Sequence, residues 1–412
     1  PDCGDFSAIA SEYADDFIAW TAYNSITVPP KQALTRSAGA CPLSCGTCED
    51  HLMTACCVLL DVTSRCDQHC PWCFAEAGGA GEQDPTLDEI ERRYDRLLEL
   101  GEERPFNIQI SGGEPTVRDD LPQIIRMGRD KGFDYIQLNT NGRRLGQDDS
   151  YAGLLAEAGL TTVFLQFDGM NDGIYREMRG EPLLDVKKRA IENCASARLP
   201  VTLVPTVLRG VNLDDIGAMF KYLLDNLHVI KGIHFQPASF FGRYPDGESG
   251  DSERVTMFGL MREIERQTGG AIRREELIPI STGHPLCCFC SSFLAERDGS
   301  VTSLVTEAQK EKGASCCCST EPDPLDIIKK DRDYVLNKWT VSSRGDAEDR
   351  SAGPSFDEEL DWLRSHMFTI SGMAFMDMSN LDAERLKRCR VQYFTEDERL
   401  IPFCAYNSVY RK

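Results

Sequence analysis

Basic residues are scarce in this chain: 45 Lys and Arg stand against 66 Asp and Glu over 412 residues, a formal charge of −21. So acidic a surface disfavours polyanionic partners, and no nucleic acid is expected to bind. Long apolar runs are absent as well. No stretch approaches the about 18 uninterrupted apolar residues of a membrane-spanning helix, so no transmembrane segment is expected. The opening residues lack a basic segment followed by an apolar run, which argues against a signal peptide and for a cytoplasmic protein. Histidine is rare, with six residues against 18 cysteines. With 41% hydrophobic and 27% charged residues, the chain is neither disordered nor fibrous, and its length suits one large or two to three ordinary domains.

Without export, 18 thiols do not suggest a disulfide framework; they are better read as metal ligands. They fall in tight groups: Cys41, Cys45 and Cys48; Cys56 and Cys57; Cys66, Cys70 and Cys73; Cys287, Cys288 and Cys290; Cys316, Cys317 and Cys318. Cys3, Cys194, Cys389 and Cys404 stand apart. Adjacent cysteines pair poorly with each other, whereas clustered thiolates suit iron–sulfur sites.

Residues 1–56 show little periodicity beyond a helix expected within 7–21, and so short a cysteine-rich segment needs a metal staple rather than a core of its own. From residue 57 strands and helices alternate. Strands are expected at 58–62, 106–110, 135–138, 163–167, 201–207 and 232–235, with helices at 87–100, 121–131, 151–158, 183–197 and 213–227 between them. Asp84-Pro85-Thr86 is a start signal for the first helix, and Asn212 a cap for the last. Six strand–helix units in series argue an α/β fold with a parallel sheet or barrel, whose chemistry gathers at the C-terminal ends of the strands. The Gly/Asp/Ser-rich stretch 242–252 marks a boundary, giving modules at 1–56, 57–245 and 246–412. Residues 342–355 read as an exposed loop.

Directly after the first strand, Cys66-Asp67-Gln68-His69-Cys70-Pro71-Trp72-Cys73-Phe74 has C-x3-C-x2-C spacing. Three thiolates so placed can bind three irons of a [4Fe–4S] cluster and leave the fourth open; a zinc knuckle is the alternative. The second strand ends in Ser111-Gly112-Gly113-Glu114-Pro115, the third in Asn139-Thr140-Asn141-Gly142 and the fourth in Gln166-Phe167-Asp168-Gly169. The combination resembles the radical S-adenosylmethionine (radical SAM) enzymes. That resemblance implies a partial (β/α)6 TIM-like barrel, and a catalytic [4Fe–4S] cluster whose open iron chelates the methionine moiety of S-adenosylmethionine. One electron then cleaves the sulfonium to a 5′-deoxyadenosyl radical, which takes hydrogen from an unactivated sp3 carbon. It places Gly112, Gly113 and Glu114 at the methionine ammonium and Phe74 near the adenine. Asn139, Gln166 and Asp168 become cofactor contacts, with strand-end turns or inward packing as their alternatives.

The string from Cys41 to Ala75, the segment His284-Pro285-Leu286-Cys287 and LKRCRVQYFTEDERLIPFCAYN (386–407) narrow the resemblance to the subgroup of the tetraether lipid synthase and the class D methylases. It implies further [4Fe–4S] clusters and one mononuclear iron or zinc site. Cys41, Cys45 and Cys48 are candidate ligands for one site, with Cys3, Cys56, Cys57 or His51 as the fourth. Cys287, Cys290, Cys389 and Cys404, joined by Cys317, are candidates for others. The subgroup often carries a second cysteine after the position of Cys389, where this chain has Arg390. The activities implied are joining of lipid tails, with peripheral lipid contact, or methylation of a small pterin-like molecule. Both need a low-potential electron donor such as a ferredoxin or flavodoxin. A noncatalytic iron–sulfur carrier is the remaining alternative.

Overall fold

The computed structural model describes residues 8–23, 25–39, 41–78, 83–101, 105–245, 254–312 and 356–411. Strands β1 (Cys57–Thr63), β2 (Asn107–Gly112), β3 (Ile136–Thr140), β4 (Thr162–Gln166) and β5 (Val201–Val204) pair in parallel in chain order. The expected fifth strand breaks at Pro205, which has no N–H for a ladder, into β5 and the short β6 (Thr206–Val207). Both pair in parallel with β7 (Ile230–Pro237). The sheet is open, which is the partial barrel expected from the sequence.

Outside the sheet lie the helices, among them α1 (Ala14–Thr21), α2 (Leu87–Leu100), α3 (Leu121–Asp130), α4 (Arg143–Gln147), α5 (Tyr151–Glu157), α6 (Asp172–Arg179), α7 (Leu184–Ser196), α8 (Ile216–Asp225) and α9 (Met257–Gln267). Ile90, Tyr94 and Leu97 recur at helical spacing on α2 and are buried in the same core as Val58, Leu60 and Val62, alternate residues of β1. Helix α2 starts where expected because Thr86 and Glu89 close a capping box: Thr86 Oγ1 accepts from Glu89 N at 3.2 Å, and Glu89 Oε2 from Thr86 N at 2.7 Å. Thr86→Ala is expected to lower stability by about 1 kcal/mol, read as a shift of the urea midpoint at constant m-value. No shift would show that the cap is redundant.

Within the strand–helix core the short α4 and α6 were not expected from the sequence; Asn171 caps α6 by accepting from Gly173 N at 3.0 Å. Asn212, expected as a cap, makes no capping bond. Its amide instead donates to Asp168 O and Thr206 O, both at 2.8 Å, tying two strand ends together.

The C-terminal region adds strands to both edges of the same sheet. Strand β8 (Cys288–Ala295), β9 (Val301–Ser303) and β10 (Met367–Met373) extend the sheet beyond β7, β10 in parallel with it. On the opposite edge β11 (Val391–Phe394) runs parallel to β1 and carries β12 (Leu400–Pro402). Both edges of the six-stranded core are thereby covered, which satisfies backbone groups that would otherwise be open to another chain. The N-terminal cysteine segment is held by the same region: Cys45 N donates to Tyr410 Oη at 2.9 Å and Leu52 N to Lys387 O at 2.8 Å. Cys45 shares an apolar cluster with Leu59, Phe403 and Cys404. The expected loop at 342–355, Cys3 and the 316–318 triplet lie outside the described residues. No helix among those described is long and apolar enough to cross a membrane.

Candidate active site

Cys66, Cys70 and Cys73 sit on the loop that leaves the C-terminal end of β1, where sequence reasoning put them. Far-off residues fix its path. Arg243, just after β7, exchanges backbone bonds with Cys73 (2.9 Å each way) and donates from Nε to Cys70 O at 2.8 Å. Arg179 donates from Nη1 to Trp72 O at 2.9 Å. Burial pushes the Cys66 thiol up to about 12 and raises that of Cys70 as well. A metal or cluster that takes the sulfurs displaces these protons. Gln68 N points at Cys66 Sγ at 3.4 Å, while Gln68 Nε2 is a buried donor without any partner. A buried donor left over inside a loop of thiols is suited to the sulfurs of an iron–sulfur cluster, so the donor set fits one.

Gly112 and Gly113 allow a close approach, and the partner is this chain. A Cβ on Gly112 would lie 2.1 Å from Thr63 O, and one on Gly113 2.2 Å from Arg65 O. Both carbonyls belong to the start of the cysteine loop, and they accept from Gly113 N and Glu114 N at 2.8 Å. The glycines thus hold the loop against the end of β2. Glu114 is 1% exposed. Its carboxylate accepts from Thr116 N at 3.0 Å, Thr116 Oγ1 at 2.6 Å, Thr140 Oγ1 at 2.7 Å and Asn141 N at 2.6 Å. Burial raises its pKa against the pull of these bonds. In this arrangement Glu114 joins the ends of β2 and β3.

Asp168, beyond β4, is wholly buried, and Arg179 holds both its oxygens at 2.8 Å; Thr206 N adds a third bond at 3.1 Å. Gln166 donates to the same carboxylate and accepts from Lys187 Nζ at 2.7 Å. Lys187 Nζ also donates to Asn141 O. Asn139 Oδ1 accepts from Gln137 Nε2 at 2.8 Å. Most of the strand-end residues singled out in the sequence thus enter one buried network, and Arg179 links it to the cysteine loop. Phe74 lies apart, its ring 5.7 Å from that of Phe403 in the C-terminal segment.

Burial lowers the Lys187 pKa from 10.5 to about 7. The unfolded chain therefore binds the extra proton between those values, and Lys187 makes stability rise with pH from about 7 to about 10.5. Lys187→Met is expected to remove that part of the slope; equal pH dependence of the two proteins' urea midpoints would refute it.

The model of the radical SAM superfamily matches residues 60–223, which include the cysteine loop and the ends of β2, β3 and β4. A curated relative, the 7,8-dihydro-6-hydroxymethylpterin dimethyltransferase of Methanocaldococcus jannaschii, is 34% identical over 429 residues, covering 92% of this chain and 81% of its own length. The chain belongs to the radical SAM superfamily. A probable GTP 3′,8-cyclase of Methanopyrus kandleri is 28% identical over 68% of this chain and 89% of its own. Among solved structures, Streptococcus suis SuiB bound to S-adenosylmethionine has a TM-score of 0.43 at 16% identity, covering 53% of this chain and 48% of that one. The chain spans about half the length of that solved protein. As a radical SAM enzyme it uses a [4Fe–4S] cluster and S-adenosylmethionine.

The flanking thiols of this radical SAM enzyme gather by segment. Cys41 and Cys48 both act on Cys45, whose thiol burial pushes up to about 12. Burial raises Cys389 well above its ordinary value and Cys404 to about 12, and Cys287, distant in sequence, adds to the rise of both. Arg385 lies among them, donating from Nε to Cys287 Sγ at 3.4 Å. Burial raises the Cys288 thiol, with Cys287, Cys290 and Cys56 adding to the rise and the Arg390 guanidinium opposing it. Among the described residues no three His, Cys, Asp or Glu side chains are arranged to hold one metal ion. A mononuclear site needs that convergence, whereas thiolates of a four-iron cluster each bind a different iron and stand further apart. His51, a candidate fourth ligand, is committed elsewhere: its Nε2 lies 2.9 Å from Gln392 Nε2 and 3.2 Å from Cys389 O. Cys194 is buried on α7, in the apolar role expected of it.

Sequence reasoning missed Arg179, Lys187, Thr206 and Arg243. A lone basic residue or threonine on a helix or strand end has no spacing signature. Only folding sets it beside its partner.

Proposed function

We propose that this enzyme methylates carbon on a small pterin-like molecule. The observation that carries the reading is the reach of the match to the pterin dimethyltransferase: 92% of the chain, so that it takes in more than the 60–223 core. Cys66, Cys70 and Cys73 would hold the cluster and leave one iron for S-adenosylmethionine. When bound, the pair supplies a primary-carbon radical that removes hydrogen from an unactivated position. This chain's own residues prepare the place. Gly112 and Gly113 keep the cysteine loop pressed to β2. Glu114 fixes the backbone of Asn141, and the Asp168–Arg179 pair anchors the loop at Trp72. Asn139 and Gln166 stand at the strand ends as polar contacts for the cofactor. The covering N- and C-terminal segments exclude water, which would otherwise compete for reactive species. Phe74, with Phe403, belongs to that cover.

The flanking thiols would carry additional [4Fe–4S] clusters, one using Cys287, Cys389 and Cys404 and another Cys41, Cys45 and Cys48. A ferredoxin or flavodoxin would deliver the low-potential electron. In the test, anaerobically reconstituted protein receives dithionite, S-adenosylmethionine, a folate-type one-carbon donor and 7,8-dihydro-6-hydroxymethylpterin. Release of 5′-deoxyadenosine should rise with the pterin, which should gain one or two methyl masses. Unchanged pterin beside cross-linked dialkyl glycerol in a parallel reaction would overturn the proposal in favour of lipid joining.

A further inference from the structure

We infer that the side-chain amide of Gln68 donates a hydrogen bond to the sulfurs of the catalytic cluster and so sets how readily that cluster takes its electron. The inference rests on the placement of the cluster at Cys66, Cys70 and Cys73, and it holds whichever substrate is methylated.

Gln68 is the middle one of the three residues between Cys66 and Cys70. A polar side chain on such a loop would ordinarily turn to water, yet Gln68 is only 6% exposed. Its backbone N donates to Cys66 Sγ at 3.4 Å, and its Oε1 accepts from the Cys70 thiol at 3.7 Å. The residue therefore sits between two of the three sulfurs, and its Nε2 is buried without a partner. A buried donor left unpaired is costly, and folded proteins rarely keep one without a use.

Loading the site changes what the amide can bond. A sulfur that binds iron carries no proton, so Cys70 becomes an acceptor and Oε1 loses its donor. Only Nε2 then has a bond to offer sulfur, at Cys70 with the amide turned about its last bond or at a sulfide of the cluster. It gives up no existing bond to do so. Reduction brings one electron from the low-potential donor, and with it one negative charge on the cluster. A hydrogen bond into the sulfurs strengthens as that charge grows, so it favours the reduced form. The field of a chain with formal charge −21 opposes the added charge. Arg179, the cation that reaches this loop at Trp72 O, is already neutralised by Asp168. A neutral amide supplies the donor without needing a counter-ion.

The test is a mediated redox titration of the anaerobically reconstituted full chain, followed by electron paramagnetic resonance at the reduced-cluster signal that S-adenosylmethionine perturbs. Gln68→Met keeps the side-chain length and removes the amide. It is expected to make the cluster about tenfold harder to reduce, a shift of about 59 mV to lower potential for a one-electron couple. Wild-type protein carrying glutamine labelled with 15N at the side chain should show a 15N coupling to the reduced cluster that Gln68→Met lacks. This second measurement decides the matter even where the variant loads poorly, because a merely structural Gln68 would lower iron content with no coupling in the wild type. No coupling, or a variant with wild-type iron that is reduced at the wild-type potential, overturns the role of Gln68. The triple alanine variant of Cys66, Cys70 and Cys73 separates the two claims. Loss of the perturbed signal there leaves the placement of the cluster standing whatever Gln68 does, and persistence of the signal overturns the placement and the inference together.

Discussion

With Cys66, Cys70 and Cys73 all replaced by alanine, the enzyme is expected to release no 5′-deoxyadenosine yet to keep part of its iron. The three thiols lie on one loop whose backbone is held by Arg243, Arg179 and the glycine pair. None of those contacts passes through a sulfur, so the fold should survive the substitutions. The cluster should not, because an iron–sulfur cluster has no hold on a site without thiolates. The variant should lose about four irons per chain relative to the wild type, while the flanking thiols keep theirs. Iron and sulfide analysis beside a single-turnover assay under dithionite reads both effects. Release of 5′-deoxyadenosine by the triple variant would show that the catalytic cluster is elsewhere. Iron falling to zero would refute clusters on the flanks.

Arg179→Met should produce the largest loss of stability of any single change considered. Asp168 is fully buried, and Arg179 is the cation that pairs with both of its oxygens. Removing that cation strands a carboxylate in the interior, which costs roughly 3–5 kcal/mol. The same change frees Trp72 O and unpins the cysteine loop, so cluster content should fall along with stability. Converting Asp168 to asparagine in the same protein removes the stranded charge, and the double variant should recover part of the loss. Urea unfolding of the wild type, both single variants and the double variant measures this coupling directly. A loss below about 1 kcal/mol for Arg179→Met would mean that water reaches Asp168.

The elements read most directly from the sequence are those whose information is local. The spacing of Cys66, Cys70 and Cys73 survives folding because three thiols within eight residues cannot move far apart. Asp84-Pro85-Thr86 lies next to the helix it starts, and so the beginning of α2 was legible. Alternation of short apolar runs with helical periodicity gave away the parallel core, because each strand–helix unit is bounded by its own turn signals. Glu114 was singled out through its motif, but its partners Thr140 and Asn141 lie on the next strand. The motif marked the residue and tertiary structure showed its bonds.

By itself, then, the sequence determined the three-thiol loop, the six strand–helix units and the gathering of polar residues at strand ends. Only the tertiary structure decided that Arg179 neutralises Asp168, that Arg385 reaches Cys287, and that β10 and β11 cover opposite edges of one sheet. The scarcity of basic residues hides the same division. The overall deficit is visible in composition, but where single cations act is not: Arg179 and Lys187 are buried, and Arg243 and Arg385 half-buried. The physical reason is range. Covalent spacing and periodicity operate over a few residues, whereas ion pairs and strand pairing join segments brought together only by burial of the core between them.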